Sequence, residues 1–192
     1  MTDPRVLSLP ADLAPGEYAV EVAHGQLGRR GELGRTVVVF TADHGETFWE
    51  HDDYFNHGLS VYNTNTRLPL LVWSPGLVRP GRRAGTCFSN IDLGPSLLSL
   101  IDAPVPEGFT GRAVPLLTAA DQTDPFPVFA EATKPHQVEK ASERTNLRKA
   151  KSMTMGPWKY IWTPWKNGRE ELYLRNEDPM ELENLAADPK HS

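Results

Sequence analysis

The fold class predicted by this chain is α/β, followed by a small antiparallel α+β tail. Three observations carry that expectation. Thr36-Val37-Val38-Val39-Phe40-Thr41 is a β-branched and aromatic run bounded by Gly34 and Gly45, the pattern of a strand buried on both faces. Leu68-Pro69-Leu70-Leu71-Val72-Trp73 is a second such run. Near the end, Ser152 to Trp162 and Glu171 to Leu174 alternate polar and apolar residues around Asn167-Gly168, as exposed strands joined by a hairpin turn do.

In chain order, Met1 to Pro15 is Pro-rich and weakly patterned, and is expected to be a loop. Gly16 to Arg30 carries Tyr18, Val20, Val22 and Leu27 in an imperfect apolar stripe, which predicts a helix weakened by Gly25 and Gly28. The first strand then ends in Asp43-His44-Gly45. Gly45 to Thr66 is polar, aromatic and rich in histidine, and a connection of that length in a compact domain is usually functional or disordered. In the second strand Pro69 sits near the start, where its missing N–H costs least. Ser89 to Ile101 predicts a helix with Ser89, Asn90 or Asp92 as N-cap and Pro95 in the first turn. Its Ile91, Leu97, Leu98 and Ile101 are expected to cover the sheet. Ala103 to Pro127 is rich in Pro, Gly and Ala, a connection between subdomains, and Val128-Phe129-Ala130 is a short strand.

Composition excludes several classes. A formal charge of −5 leaves no basic stripe for nucleic-acid phosphates. The densest basic stretch, Arg144 to Lys151, reads as a solvated face or loop. No apolar run approaches the about 18 residues of a membrane span, and the N-terminal residues have neither the basic start nor the apolar core of a secretory signal. A cytoplasmic location is therefore the expectation for the chain as it stands. Cys87, the single cysteine, permits no internal disulfide and reads as a small buried apolar residue.

The chemistry concentrates after the first strand. In open α/β sheets ligands bind beyond the carboxyl ends of strands, and there Asp43 and His44 offer a carboxylate and an imidazole. Taken alone the pair could equally be a helix N-cap and a turn. The residues that follow strengthen the metal reading: His51 and His57 add imidazoles, and Glu46, Glu50, Asp52 and Asp53 add oxygens. Such a set suits a divalent cation, Ca²⁺, Mg²⁺ or Mn²⁺, with Zn²⁺ left open by the imidazoles. His57-Gly58 could pair with an oxyanion or protonate a leaving group.

Together these segments resemble a known family. Val39-Phe40-Thr41-Ala42-Asp43-His44-Gly45-Glu46, then His57-Gly58-Leu59-Ser60-Val61-Tyr62, then Thr66-Arg67-Leu68-Pro69-Leu70-Leu71-Val72-Trp73-Ser74-Pro75-Gly76 are similar to sulfatases of the alkaline-phosphatase superfamily. Asn90 to Leu98 resembles the family's next helix. Trp158-Lys159-Tyr160-Ile161, Glu170 to Leu174, Asp178-Pro179 and Glu183-Asn184-Leu185-Ala186 resemble its closing pattern.

The resemblance implies part of an alkaline-phosphatase-like mixed sheet flanked by helices in residues 1–126, with a small antiparallel subdomain in 127–192. It implies Asp43 and His44 as metal ligands, Ca²⁺ being the first expectation, and His57 as the contact to the oxyanion or leaving group. His51 joins His57 as a substrate-binding candidate, and Arg67 is expected to tie the loop to the domain. Substrates would be sulfate or phosphate esters. The family's nucleophile, a Cys or Ser in a C/S-x-P-x-R segment, has no counterpart in these 192 residues, since Cys87 lies in Thr86-Cys87-Phe88-Ser89-Asn90. The expectation is a C-terminal part, inactive alone, whose partner is an N-terminal half. Two rival expectations are a phosphodiester or phosphonate monoester hydrolase of the same superfamily and a non-catalytic interaction module.

Overall fold

The computed structural model describes residues 27–52, 54–58, 60–81, 83–85, 87–115, 126–133 and 149–190. Residues 27–30 are helical; the rest of the helix expected over Gly16 to Arg30 lies outside the described residues, as does the N-terminal loop. Strand β1 (Val38–Thr41) pairs antiparallel with β4 (Leu70–Trp73), Val38 opposite Trp73 and Thr41 opposite Leu70. This corrects the doubly buried strands of an open α/β sheet. All four residues of β1 are half-buried, and Leu71 on β4 is exposed. A continuous apolar run specifies a strand that can be covered on both faces; it fixes neither the number nor the direction of its neighbours.

The stretch between these strands is more ordered than its polarity suggests. Strand β2 (Thr47–Phe48) pairs antiparallel with β3 (Tyr54–Asn56) across a register shift, with a 3-10 turn, Glu50–Asp52, at the tip. His51 lies in the left-handed region there, at φ 59°. Asn63–Thr66 then forms a single helical turn, α1.

A 3-10 turn, Asn90–Asp92, leads into helix α2 (Leu93–Leu100), and Pro95 falls in the first turn as expected. The capping expectation fails, because the side chains of Ser89 and Asp92 make no cap bond. Buried Asp92 instead accepts the Arg112 backbone N–H at 2.8 Å and pairs with the Arg112 guanidinium at 3.4 Å. Ile91 and Ile101, expected on the sheet face, are exposed. Ile91 lies in the preceding turn and Ile101 follows the last one, so neither keeps phase with the helix.

The C-terminal part is a four-stranded antiparallel meander in the order β5 (Val128–Thr133), β6 (Lys149–Met155), β7 (Trp158–Thr163), β8 (Arg169–Leu174). Ser152 to Trp162, expected as one strand, is two, since Gly156 at φ 56° turns the chain. Asn167 at φ 57° and Gly168 at φ 69° form the β7–β8 turn that the Asn-Gly pair predicts. Among the described residues this part contains no helix. Of the basic stretch, Lys149 and Lys151 are described; both face Glu131 across the β5–β6 pair, at 3.3 and 3.8 Å.

Strand alternation gives the sheet one buried face. Ala132, Ala150, Ile161 and Tyr173 pack there against Val61 and Tyr62, which immediately precede α1. Around this core runs a buried polar network. The Lys159 ammonium lies 3.0 Å from the Glu181 carboxylate, with the two side chains 1% and 0% exposed. Glu181 Oε2 accepts the Asn63 backbone N–H at 2.7 Å, and Lys159 Nζ donates to Asn63 Oδ1 at 3.2 Å and Thr66 Oγ1 at 3.1 Å. Glu171 Oε1 accepts the hydroxyls of Tyr62 (2.8 Å) and Tyr173 (2.7 Å) and pairs with Arg169 at 2.9 Å. Arg67 is exposed and forms no ion pair among the described residues. The tie expected of it is made by Lys159, because a buried cation is desolvated and an exposed one is screened.

Two outcomes follow from that network. Lys159→Met leaves Glu181 buried without its counter-charge and should cost about 3–5 kcal/mol, while adding Glu181→Leu should restore most of it; urea denaturation of both variants checks this. Burial pushes the Lys159 ammonium down to about 8, against the pull of Glu181. Between that value and the ordinary 10.5 the unfolded chain binds more protons than the folded one, so stability rises with pH. Burial and the Glu171 bonds raise the Tyr62 and Tyr173 hydroxyls, so stability falls once the unfolded tyrosines ionise above about 10. The urea midpoint should therefore climb from pH 8 and turn down beyond about 10, and Lys159→Met should remove the climb.

Candidate functional site

Beyond Thr41 the chain leaves β1, and Asp43 bends back so that its Oδ1 accepts the His44 backbone N–H at 3.0 Å. That bond, ahead of the nearby His44 charge, holds the Asp43 carboxyl below its ordinary value. The carboxylate is 88% exposed. No helix follows, since the chain continues into β2, and the N-cap alternative for Asp43 is excluded.

The His44 ring lies over its own loop, with Nδ1 2.9 Å from the Gly45 carbonyl. A carbonyl can only accept, so Nδ1 carries the hydrogen and Nε2 keeps its lone pair in the neutral ring. Nε2 lies 3.6 Å from Asp43 Oδ2, so a nitrogen and a carboxylate oxygen converge at the strand end. The His57 ring stacks on that of His44, centroids 4.3 Å apart at 15°. On its other edge His57 Nδ1 meets Glu46 Oε2 at 3.0 Å.

The scaffold beneath is built from α1. The Gly45 N–H donates to the Asn65 carbonyl at 2.9 Å, and any Cβ on Gly45 would collide with the Thr64 carbonyl. Only glycine permits that approach. Buried Thr47 donates to Asn65 Oδ1 at 3.3 Å, and Asn65 Nδ2 reaches Ser60 Oγ at 2.8 Å. From the α2 side, Asn90 Nδ2 donates to the Ala42 carbonyl at 3.3 Å. Asn90, a cap candidate by sequence, braces the loop that presents Asp43.

Asp43, His44 and His57 are thus brought together. His51 is not: its ring stacks on Tyr62 at 3.6 Å and 7°, and burial lowers its proton affinity against the pull of Glu181. Glu50 turns to the Phe48 backbone N–H at 2.6 Å, and Asp53 lies outside the described residues. Cys87, expected to be apolar filling, is half-buried and accepts a hydrogen bond from Arg175 Nη1 at 3.1 Å. Glu46, Asn65 and Asn90 are the site residues whose roles sequence reasoning missed. Their partners lie in other elements, so only the spacing between Glu46 and His57 across a hairpin could have signalled one of them.

No group of three or more His, Cys, Asp or Glu among the described residues could hold a metal ion. Asp43 and His44 fit such an ion as two of its donors: one carboxylate held ionised, and one imidazole whose tautomer is fixed by a backbone carbonyl. That is the usual second contact of a ligating histidine. No helix among the described residues is long and apolar enough to cross a membrane.

Comparison with known proteins shows the family. The family model for N-sulphoglucosamine sulphohydrolase, C-terminal, matches residues 49–192. Arylsulfatase K of Xenopus laevis is 30% identical over 163 residues, covering 83% of this chain and 30% of that protein. BT4656, solved in complex with its substrate D-glucosamine-2-N,6-O-disulfate, superposes with a TM-score of 0.73 at 21% identity, over 92% of this chain and 35% of that one. A phosphonate monoester hydrolase from Silicibacter pomeroyi reaches 0.69 at 23% identity, over 91% and 35%. The fold thus matches part of the alkaline-phosphatase-like sulfatases, and the chain spans about a third of the length of these relatives. The chain belongs to the sulfatase family, in its C-terminal region.

Proposed function

We propose that this chain forms one wall of a sulfuric ester hydrolase site and is inactive until an N-terminal half supplies the nucleophile and the remaining metal donors. The observation that supports this is the convergence of Asp43, His44 and His57 at the end of β1 in a chain of this family. Asp43 and His44 would hold a divalent cation, Ca²⁺ before Mg²⁺ or Mn²⁺ because carboxylate oxygens favour hard ions. When bound, the cation supplies charge to polarise the ester and to offset charge on the transferring group.

His57 meets the ester from the opposite edge to Glu46. With Nδ1 committed to Glu46, its protonated ring donates from Nε2. As the nucleophile takes the sulfuryl group, the ester S–O bond breaks and its electron pair stays on the leaving oxygen. That oxygen takes the Nε2 proton, and a neutral imidazole remains with its hydrogen on Nδ1.

A phosphodiester or phosphonate monoester hydrolase is the second reading, kept open by the Asp43-His44 pair, which suits either transferring group, and by the fold likeness to a phosphonate monoester hydrolase. Assay of the complemented enzyme on paired sulfate and phosphonate esters separates the two. Comparable failure on both, with the halves bound, leaves the interaction module.

The chain alone should show no turnover of 4-nitrophenyl sulfate above a metal-only blank; metal-dependent turnover lost in Asp43→Ala would sink the split-site reading. Calorimetric titration of the chain with Ca²⁺ or Mn²⁺ should give at best high-micromolar affinity, since a hard ion wants about six or more oxygens. A nanomolar site abolished by His44→Ala would mean that the chain completes the coordination sphere itself. In the complemented enzyme His57→Ala should lower kcat about 10²–10⁴-fold on esters of poor leaving groups, far less on 4-nitrophenyl sulfate, with metal content unchanged. Loss of metal instead would make His57 a ligand.

A further inference from the structure

Glu46 has a geometry that its fold does not require. One carboxylate oxygen, Oε2, meets His57 Nδ1 at 3.0 Å. The other, Oε1, is buried and has no hydrogen-bond partner among the described residues. A buried carboxylate oxygen left unsatisfied destabilises the fold, and such groups persist where they serve a site. The side chain is about one-third exposed and that of His57 about half, so the pair is accessible to solvent.

The surroundings leave the ring few alternatives. His44 covers one face of the His57 imidazole at 4.3 Å, nearly parallel, which fixes the ring plane. Glu46 occupies one edge, which fixes rotation within that plane. A carboxylate in its ionised form can only accept, so the hydrogen between them belongs to Nδ1. The remaining edge carries Nε2.

We infer that Glu46 is a positioning residue for His57, holding Nδ1–H so that Nε2 is the only ring nitrogen presented to the ester. The inference rests on the role proposed for His57, and it adds a Glu–His pair to the Asp43–His44 donors at the same strand end. Removing Glu46 frees the ring to rotate about its Cβ–Cγ bond and to exchange tautomers, and either change misdirects Nε2. A displacement of about 1 Å at a reacting atom is enough to cost on the order of 10²-fold in rate.

Two readouts test it. The first uses the intact chain labelled with ¹⁵N-histidine, without metal, at mildly alkaline pH, where long-range ¹H–¹⁵N correlations distinguish the two ring nitrogens. His57 should show a protonated Nδ1 and a bare Nε2. Glu46→Gln, whose amide oxygen still accepts, should keep that pattern. Glu46→Ala should move His57 toward the Nε2–H form that free histidine favours. A wild-type His57 with its hydrogen on Nε2, or nitrogen shifts unaltered in Glu46→Ala, overturns the inference. Should Glu46→Ala fail to fold, the wild-type and Glu46→Gln spectra still decide it.

The second readout is kinetic, in the complemented enzyme. Glu46→Ala should reproduce the leaving-group-selective loss of kcat seen in His57→Ala with little change in KM. The double variant should lose no more than His57→Ala alone. Turnover that depends on His57 but not on Glu46 overturns the positioning role by itself. Turnover indifferent to His57 overturns the proposed role of His57, and the inference with it.

Discussion

The buried contact between Lys159, Glu181 and Asn63 is the constraint from which the rest of the arrangement follows. Lys159 belongs to β7, Glu181 to the segment after β8, and Asn63 to the first turn of α1. Two opposite charges out of water are tolerated only with close geometry and further hydrogen bonds, and here Asn63 and Thr66 supply them. The same segment inserts Val61 and Tyr62 into the face of the antiparallel sheet. Apolar contact alone would hold that segment loosely, since small apolar surfaces repack at modest cost. A desolvated ion pair with directional bonds admits one register, which is how a distant sheet sets the position of a four-residue helix.

From α1 the constraint passes to the site in one step. Its far side carries the carbonyls of Thr64 and Asn65, and Gly45 lies directly against them. Asp43 and His44 are the two residues before that glycine, so their direction follows from a backbone contact rather than from their own side chains. His57, arriving from β3, stacks on His44 and meets Glu46, which immediately follows Gly45. The two imidazoles, two carboxylates and one glycine therefore form a single unit mounted on α1. Being exposed and alternately anionic and basic, that unit would, on the proposed reading, offer two metal donors and one proton donor, with no nucleophile between them.

Much of this was legible in the sequence where the signal is local. The β-branched run ending in Asp43-His44-Gly45 located β1 and the side-chain cluster at its end, and Asn167-Gly168 located the β7–β8 turn. Pro95 fell in the first turn of its helix because its missing N–H leaves it little choice. What failed was non-local. An apolar run does not record its partners, so the antiparallel pairing of β1 with β4 could not be read from it. Gly156 was passed over because alternation continues through Met155 and Trp158 on either side of the turn. Asn90 and Asp92 carry the chemistry of caps, yet their side chains found partners elsewhere along the chain, at Ala42 and Arg112. His51 and His57 are indistinguishable by composition. One is packed beneath Tyr62 and the other stands beside His44, and only the hairpin between β2 and β3 separates their environments.

The most telling case is Lys159, which sequence placed in an unremarkable alternating strand. Within β7 it occupies an inward position between Trp158 and Tyr160, where an aliphatic residue would satisfy the pattern. A lysine there costs stability at neutral pH, since burial drives its proton affinity down despite Glu181. An apolar side chain could fill the same space but could not reach both Asn63 and Thr66 with hydrogen bonds. The retained charge is best understood through what α1 carries on its other side. A core that merely filled space would let α1 shift, and a shift there moves Gly45, then Asp43, His44 and Glu46 together. In that sense the buried lysine acts on the site's geometry through α1 and Gly45, although it lies within the sheet and touches none of the groups that would meet an ester.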